Sequence, residues 1–244
     1  MRNVKLTLEF DGTYYVGWQR QKNGISIQQK VSEAVSKLTG EKTEVIGCSR
    51  TDAGVHAKQY ICNFTTQSEI PVEKIKLALN SILPEDIVAL KSEEVQENFH
   101  ARYNAISKRY IYTICNREVP LAIERQYSYL IKKKLNLDKM EQATSYLIGK
   151  HDFSAFKNSN SKVISNVRTI FDISIISEAE YIAISVTGDG FLYNMVRIIV
   201  GTLIEVGLGK IEPLEVLNIL ESMDRKKAGS TAPACGLCLD EVYY

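Results

Sequence analysis

The sequence predicts an α+β fold of two similar α/β halves, with largely antiparallel sheets joined into one extended sheet and helices packed on one face. Strand follows strand with helices interspersed, not the strict strand–helix alternation of a parallel sheet. Each half offers about four strands and two helices, and no long Pro/Gly/Ser-rich linker separates them. The 244 residues amount to roughly one and a half domains at about 150 residues each, which suits two intimately packed halves. The division is expected between 1–104 and 105–244. No sequence repeat underlies the likeness of the halves, so the duplication is one of architecture.

Val4, Leu6, Leu8 and Phe10 alternate with Lys5, Thr7 and Glu9, the period of a strand with one buried face. After a polar loop over 11–24, Ile27, Val31, Ala34, Val35 and Leu38 recur at helical spacing. Ser26 stands as N-cap, Gln29 completes the box three residues on, and Gly40 is the stop. Residues 43–49 and 58–65 read as strands joined by a polar turn over 50–57, with Tyr60, Cys62 and Phe64 on one face. Pro71 opens a helix carrying Val72, Ile75, Leu79 and Ile82, and a strand follows near 87–95. In the second half, strands are expected near 107–116 and 126–131, then a helix near 137–148 stopped by Gly149. Strands near 167–176 and 181–188 lead to a long apolar helix over 191–207, a shorter one over 213–222, and a final strand.

Composition excludes several classes. Hydrophobic residues make up 45% and charged residues 24%, ordinary for a globular chain with a core. Lys plus Arg is 30 and Asp plus Glu is 29, so a net charge of +1 supplies no global field for a polyanion. Any such site is local, and the charge is indeed uneven: residues 69–98 hold seven acidic and three basic side chains, whereas 102–134 hold eight basic and two acidic. Lys132, Lys133 and Lys134 end that basic stretch, as a solvated strand end or as phosphate contacts. The N-terminal residues lack the apolar run of a signal peptide, and the most apolar segment, 191–208, is broken by Asn194, Arg197, Gly201 and Glu205. A cytoplasmic protein without membrane contact is the expectation. Five cysteines, an odd number in a chain of this size, argue for reduced thiols.

The densest polar cluster is 48–57, CSRTDAGVHA, between two apolar strands. Read as residues alone, it is also how an ordinary strand-to-strand turn is written. As a site, it presents Asp52 rigidly beside a forced turn, with Arg50 to grip phosphate and His56 as either a general base or a hydrogen-bonded structural residue. Cys235 and Cys238 form a single CxxC which, with no second pair and three histidines in the chain, is poor ground for zinc and reads as strand-end packing.

The run SRTDAGVHA resembles the GRTDAGVHA signature of the TruA family of tRNA pseudouridine synthases. Further blocks follow in family order: FDGTYYVGWQRQ, SIQQKVSEAV, FHARYNAISKRYIYTI, HDFSAF, GDGFLYNMVRIIVG and TAPACGLCLDEVYY. The resemblance runs from residue 10 to the C-terminus. It implies the pseudouridine synthase fold and a cofactor-free, metal-free isomerase that converts uridine to pseudouridine in the anticodon stem-loop of tRNA, at positions 38–40, as a homodimer. Asp52 matches the family's catalytic aspartate, whose carboxylate either attacks ribose C1′ or removes the neighbouring 2′ proton. Tyr110 matches the tyrosine that stacks on the target uracil; without the resemblance it reads as a core aromatic beside Tyr112 and Ile114. Arg197, a lone guanidinium in an apolar helix, matches the partner of that aspartate. Arg50 matches the arginine that helps extrude the nucleotide, and Leu192 with Phe191 either lines the uracil pocket or packs in the core. The sequence departs from the signature at Ser49, where the family has glycine, which puts the shape of the catalytic turn in question. The competing classes are a noncatalytic RNA-binding protein and a CxxC redox protein.

Overall fold

The computed structural model describes residues 1–159 and 163–244. Its first strand, β1 (Arg2–Phe10), follows from the alternation: Val4, Leu6, Leu8 and Phe10 are all buried while Lys5, Thr7 and Glu9 face outward. Each such side chain contributes about 1.5–3 kcal/mol on burial. Helix α1 (Ile27–Thr39) starts where Ser26 caps it, the hydroxyl accepting from Gln29 N–H at 3.2 Å, and ends at Gly40 in the left-handed region.

The chain then forms β2 (Ile46–Gly47), β3 (His56–Thr66), α2 (Val72–Asn80) and β4 (Ile87–Val95). These elements belong to a unit comprising Met1–Ile106 and Cys238–Tyr244; the second unit is Ser107–Leu237. The division falls two residues beyond the expected one, and the last strand, counted with the second half from sequence, returns to the first. In the first unit β1 lies between β4 and β3, antiparallel to both, with Leu6 opposite Cys62 and Ser92. β10 (Leu237–Tyr243) runs parallel to β3.

The second unit contains β5 (Ser107–Asn116), β6 (Tyr129–Ile131), α3 (Leu137–Thr144), β7 (Gly149–Asp152), β8 (Val167–Glu178), β9 (Tyr181–Gly188), α4 (Met195–Gly207) and α5 (Glu215–Ser222). β5, β9, β8 and β7 pair in that order, all antiparallel, and β6 adds to β5 in parallel.

Four expectations need correction. The strand expected over 43–49 is only two residues long, because the chain turns away at Cys48 into the polar loop. The strand expected over 126–131 forms only at Tyr129–Ile131. The helix expected to reach 148 ends at Thr144: Tyr146 and Leu147 tighten into i→i+3 turns, and Gly149 opens a short strand instead of capping a helix. Leu147 is fully buried, so the apolar spacing outlasts the helix that it suggests. The apolar helix begins at Met195, not 191, because Asn194 adopts a left-handed conformation (φ 61°) that a helix cannot contain and asparagine tolerates.

Three phenols with desolvated hydroxyls shape the alkaline response: Tyr15 and Tyr112 are buried, and Tyr244, exposed at its ring, donates its hydroxyl to Ala101 carbonyl at 2.6 Å. Burial pushes Tyr15, Tyr112 and Tyr244 well above the ordinary tyrosine value, and Tyr15 is raised further because it donates to Asp86 Oδ1 at 2.6 Å. Their contribution to stability is fully present below about pH 10, where unfolded tyrosine ionises, and is lost as pH rises further. The unfolding midpoint is expected to hold through pH 9 and fall above pH 10, with a shallower fall in Tyr15→Phe. A midpoint independent of pH up to 11 would contradict this.

Candidate active site

The expected site residues of the first unit, Arg50 and Asp52, lie on the loop between β2 and β3. Its backbone is fixed from several sides. The Tyr60 hydroxyl donates to Ser49 carbonyl oxygen and accepts from Ser49 N–H at 3.4 Å. Trp18 N–H donates to Thr51 carbonyl at 3.3 Å, Gly54 N–H to Tyr15 carbonyl at 3.2 Å, and Val55 N–H to Asp52 carbonyl at 3.2 Å. Tyr60 stacks on Trp18 with ring centroids 4.1 Å apart, so the clamp is itself rigid. Between these anchors Arg50 is exposed, Thr51 buried and Asp52 half-buried. The turn that offers Asp52 is therefore held through its backbone.

Ser49 is compatible with this turn. Among the described residues its φ is not positive, so the backbone has no need of glycine there, and its peptide makes both bonds to Tyr60. His56, at the start of β3, is 7% exposed; its Nδ1 accepts from Gly12 N–H at 3.1 Å and lies 3.0 Å from Asp11 Oδ1. Of its two sequence readings, the structural one describes this arrangement. Asp11 N–H in turn donates to Asp86 carbonyl, and the Tyr15 hydroxyl binds Asp86 Oδ1. The loop over 11–18 thus braces the Asp52 turn. Sequence reasoning treated it as a polar connection, although Gly12 and Gly17, spaced within a run of aromatics, signalled close backbone approach.

The second unit carries the other expected site residues. Tyr110 sits on β5, buried, its ring edge-on to Phe191 at 5.3 Å and 87°. Leu192 is buried in the connection before α4, where its N–H approaches Met195 Sδ at 3.5 Å. Asn158 holds that connection by donating its backbone N–H to Tyr193 carbonyl and its side-chain amide to Asn194. Because the helix starts at Met195, Phe191 and Leu192 belong to a loop and not to a helical turn.

Arg197 lies on α4 and is half-buried. Its Nε donates to Ala232 carbonyl at 2.7 Å, while Ala232 N–H donates to Arg197 carbonyl at 3.0 Å. Gly201, one turn on, lets Ser230 come so close that any Cβ would collide with its carbonyl. The Tyr112 hydroxyl donates to Pro233 carbonyl at 2.8 Å. The segment 230–233 therefore aims the guanidinium. Nothing in the sequence of that segment signals that it positions Arg197.

Among the described residues no group of three or more His, Cys, Asp or Glu could hold a metal ion, and no helix is long and apolar enough to cross a membrane. Cys235 and Cys238 are free thiols; burial raises both, Cys238 to about 12. Thiols so raised carry little thiolate at neutral pH, which disfavours redox chemistry.

The family model described as tRNA pseudouridine synthase matches residues 7–104 and 143–244. The chain belongs to the tRNA pseudouridine synthase family. It is 58% identical to tRNA pseudouridine synthase A of Clostridium acetobutylicum, over the whole of both chains. It is 56% identical to tRNA pseudouridine synthase A 2 of Clostridium perfringens and 53% to tRNA pseudouridine synthase A of Acetivibrio thermocellus, again over the full length of each. The matched stretches include the Asp52 loop, α4 and the 230–233 segment that positions Arg197; β5 with Tyr110 lies between them.

Proposed function

We propose that the chain isomerises uridine to pseudouridine in the anticodon arm of tRNA, at positions 38–40, without a cofactor. The observation that carries this reading is the Asp52 turn, braced through its backbone on several sides in a member of this family. The reaction breaks the bond from uracil N1 to ribose C1′, turns the retained base, joins C5 to C1′ and releases the C5 proton to water. A fixed carboxylate suits an electron-poor sugar, by attack on C1′ or by removal of the 2′ proton. Rigid placement matters because a misplacement of about 1 Å costs roughly 10²-fold in rate.

In this reading Asp52 is the catalytic residue, and Tyr110, Arg50, Arg197 and Leu192 bind substrate. Tyr110 supplies an aromatic surface for the base. Arg50, exposed beside Asp52, offers the cation that offsets the few kcal/mol of unstacking the target nucleotide. The enzyme works in the cytoplasm as a homodimer, and sedimentation analysis tests the dimer. The activity is tested with tRNA carrying tritium at uridine C5: the parent protein is expected to release tritium to water, and binding without release would favour a noncatalytic RNA-binding protein.

Arg197→Met is expected to lower turnover by at least about 10²-fold, the scale of removing one preorganised charged partner. The variant should remain folded, at a cost of about 1–3 kcal/mol for the charged hydrogen bonding lost around the guanidinium, the bond to Ala232 included. Normal turnover by a folded variant would remove Arg197 from the site.

A further inference from the structure

The structure assigns a second polyanion contact, remote from the target base: a cavity of about 340 Å³ in the second unit, lined by Asn116, Arg117, Glu118, Lys132, Lys134 and Glu180 among others. We infer that Lys132 and Lys134 there contact phosphates of the tRNA body. The inference rests on tRNA being the substrate and adds where along it the protein holds on.

The lysines are not a loose surface run. The Asn116 side-chain amide donates to Ile131 carbonyl at 2.7 Å and to Lys133 carbonyl at 2.8 Å, and its Oδ1 accepts from Leu135 N–H at 3.1 Å. One side chain thus fastens the backbone on both sides of the lysines, between β6 and the Asn136 cap of α3. Lys132 and Lys134 line the cavity, and Lys133, between them, does not.

The neighbouring charges leave the two lysines available. Of the carboxylates lining the cavity, Glu180 is held by Arg117 at 2.6 Å, and Arg117 also donates to the carbonyls of Val119 and Pro120. Glu118 remains as a single acidic group against two lysines. Among the described residues no carboxylate pairs with Lys132, Lys133 or Lys134, and all three are exposed. Like charges fixed close together repel, so a rigid backbone that holds them there favours a ligand with repeated negative charge. In a chain of net charge +1, residues 102–134 carry eight basic and two acidic side chains, which concentrates the attraction here.

Distance separates this contact from the chemistry. Asn116 and Tyr110 lie on the same strand, β5, six residues apart, or about 20 Å at the rise of a strand. A span of about 20 Å takes in several base-pair steps of an A-form RNA arm. The phosphates engaged are those of a helical arm, not those flanking the flipped uridine. The lysines also fall in 105–142, outside both stretches matched by the family model.

The test compares Lys132→Gln/Lys134→Gln with the parent, using fluorescently labelled tRNA transcript across a salt series. The double variant is expected to bind about tenfold more weakly near 0.15 M salt, with a slope of log affinity against log salt shallower by about 1.5, since each phosphate contributes roughly 0.7–0.9. KM should rise correspondingly while kcat stays unchanged. Lys226→Gln/Lys227→Gln removes two exposed charges elsewhere in the same unit and should leave all of these at the parent's values. An unchanged affinity and slope in the first variant, with normal tritium release by the parent, would overturn the lysine contact and leave the synthase reading intact. Equal losses in both pairs would also overturn it, because charge alone would then suffice. Absence of tritium release by the parent would instead strike the synthase reading.

Discussion

Asp52→Asn is expected to abolish tritium release from C5-labelled tRNA, lowering turnover by at least about 10⁴-fold, while binding tRNA within about threefold of the parent. The size follows from the role: an amide neither attacks C1′ nor accepts the 2′ proton, and removing the residue that performs the covalent or proton-transfer step costs on this scale. The loss equals about 5.5 kcal/mol of transition-state stabilisation. Stability should change by at most about 1–2 kcal/mol, because asparagine keeps the shape of the side chain and the turn is also held by the backbone bonds of Trp18, Gly54 and Val55. That separation makes the substitution informative: it alters the reacting group without moving the turn. Equal release by parent and variant would take Asp52 out of the chemistry, and loss of tRNA binding in a folded variant would recast it as a binding residue.

Much of this architecture was legible because short-range signals and tertiary packing agree. The alternation in β1 and the Ser26–Gln29–Gly40 grammar of α1 each specify one conformation that burial reinforces. Misreadings arose where apolar spacing continued past the point at which the backbone changed course. Leu147 keeps the helical rhythm although the helix has ended, and Asn194 interrupts an apolar run from within. Neither event has a hydrophobic signature. The site divides along the same line. Asp52 and Arg50 stand in one contiguous motif, so family resemblance finds them together. The groups that fix the site residues come from outside that motif: Tyr60 grips Ser49, Trp18 holds Thr51, and Ala232 aims Arg197. Such partners are set by pairing register, which a single sequence does not display. The C-terminal strand is a further case, since nothing in LCLDEVY says that it pairs with β3 of the first unit.

Gly17→Ala is expected to damage both stability and turnover. Gly17 has φ +94°, and a Cβ placed on it would collide with Thr51 carbonyl oxygen and stand 3.0 Å from Asp52 carbonyl carbon. Two costs combine. An L side chain in the left-handed region costs about 1–2 kcal/mol, and forcing atoms into a filled space costs about 1–3 kcal/mol more. The obstructing atoms are backbone and cannot rotate away, so relief comes only by moving the turn that presents Asp52. Turnover should therefore fall by about 10²-fold or more even where the protein remains folded, the scale of a misplacement of about 1 Å. Gly40→Ala isolates the first cost: Gly40 also has positive φ, +73°, but nothing lies within 4 Å of its would-be Cβ. It should lose about 1–2 kcal/mol in denaturant unfolding and retain the parent's turnover, whereas Gly17→Ala loses both. If Gly17→Ala matched Gly40→Ala in stability and in tritium release, the close approach of the 11–18 loop would have no part in holding Asp52. The bracing assigned to that loop would then have to be given up.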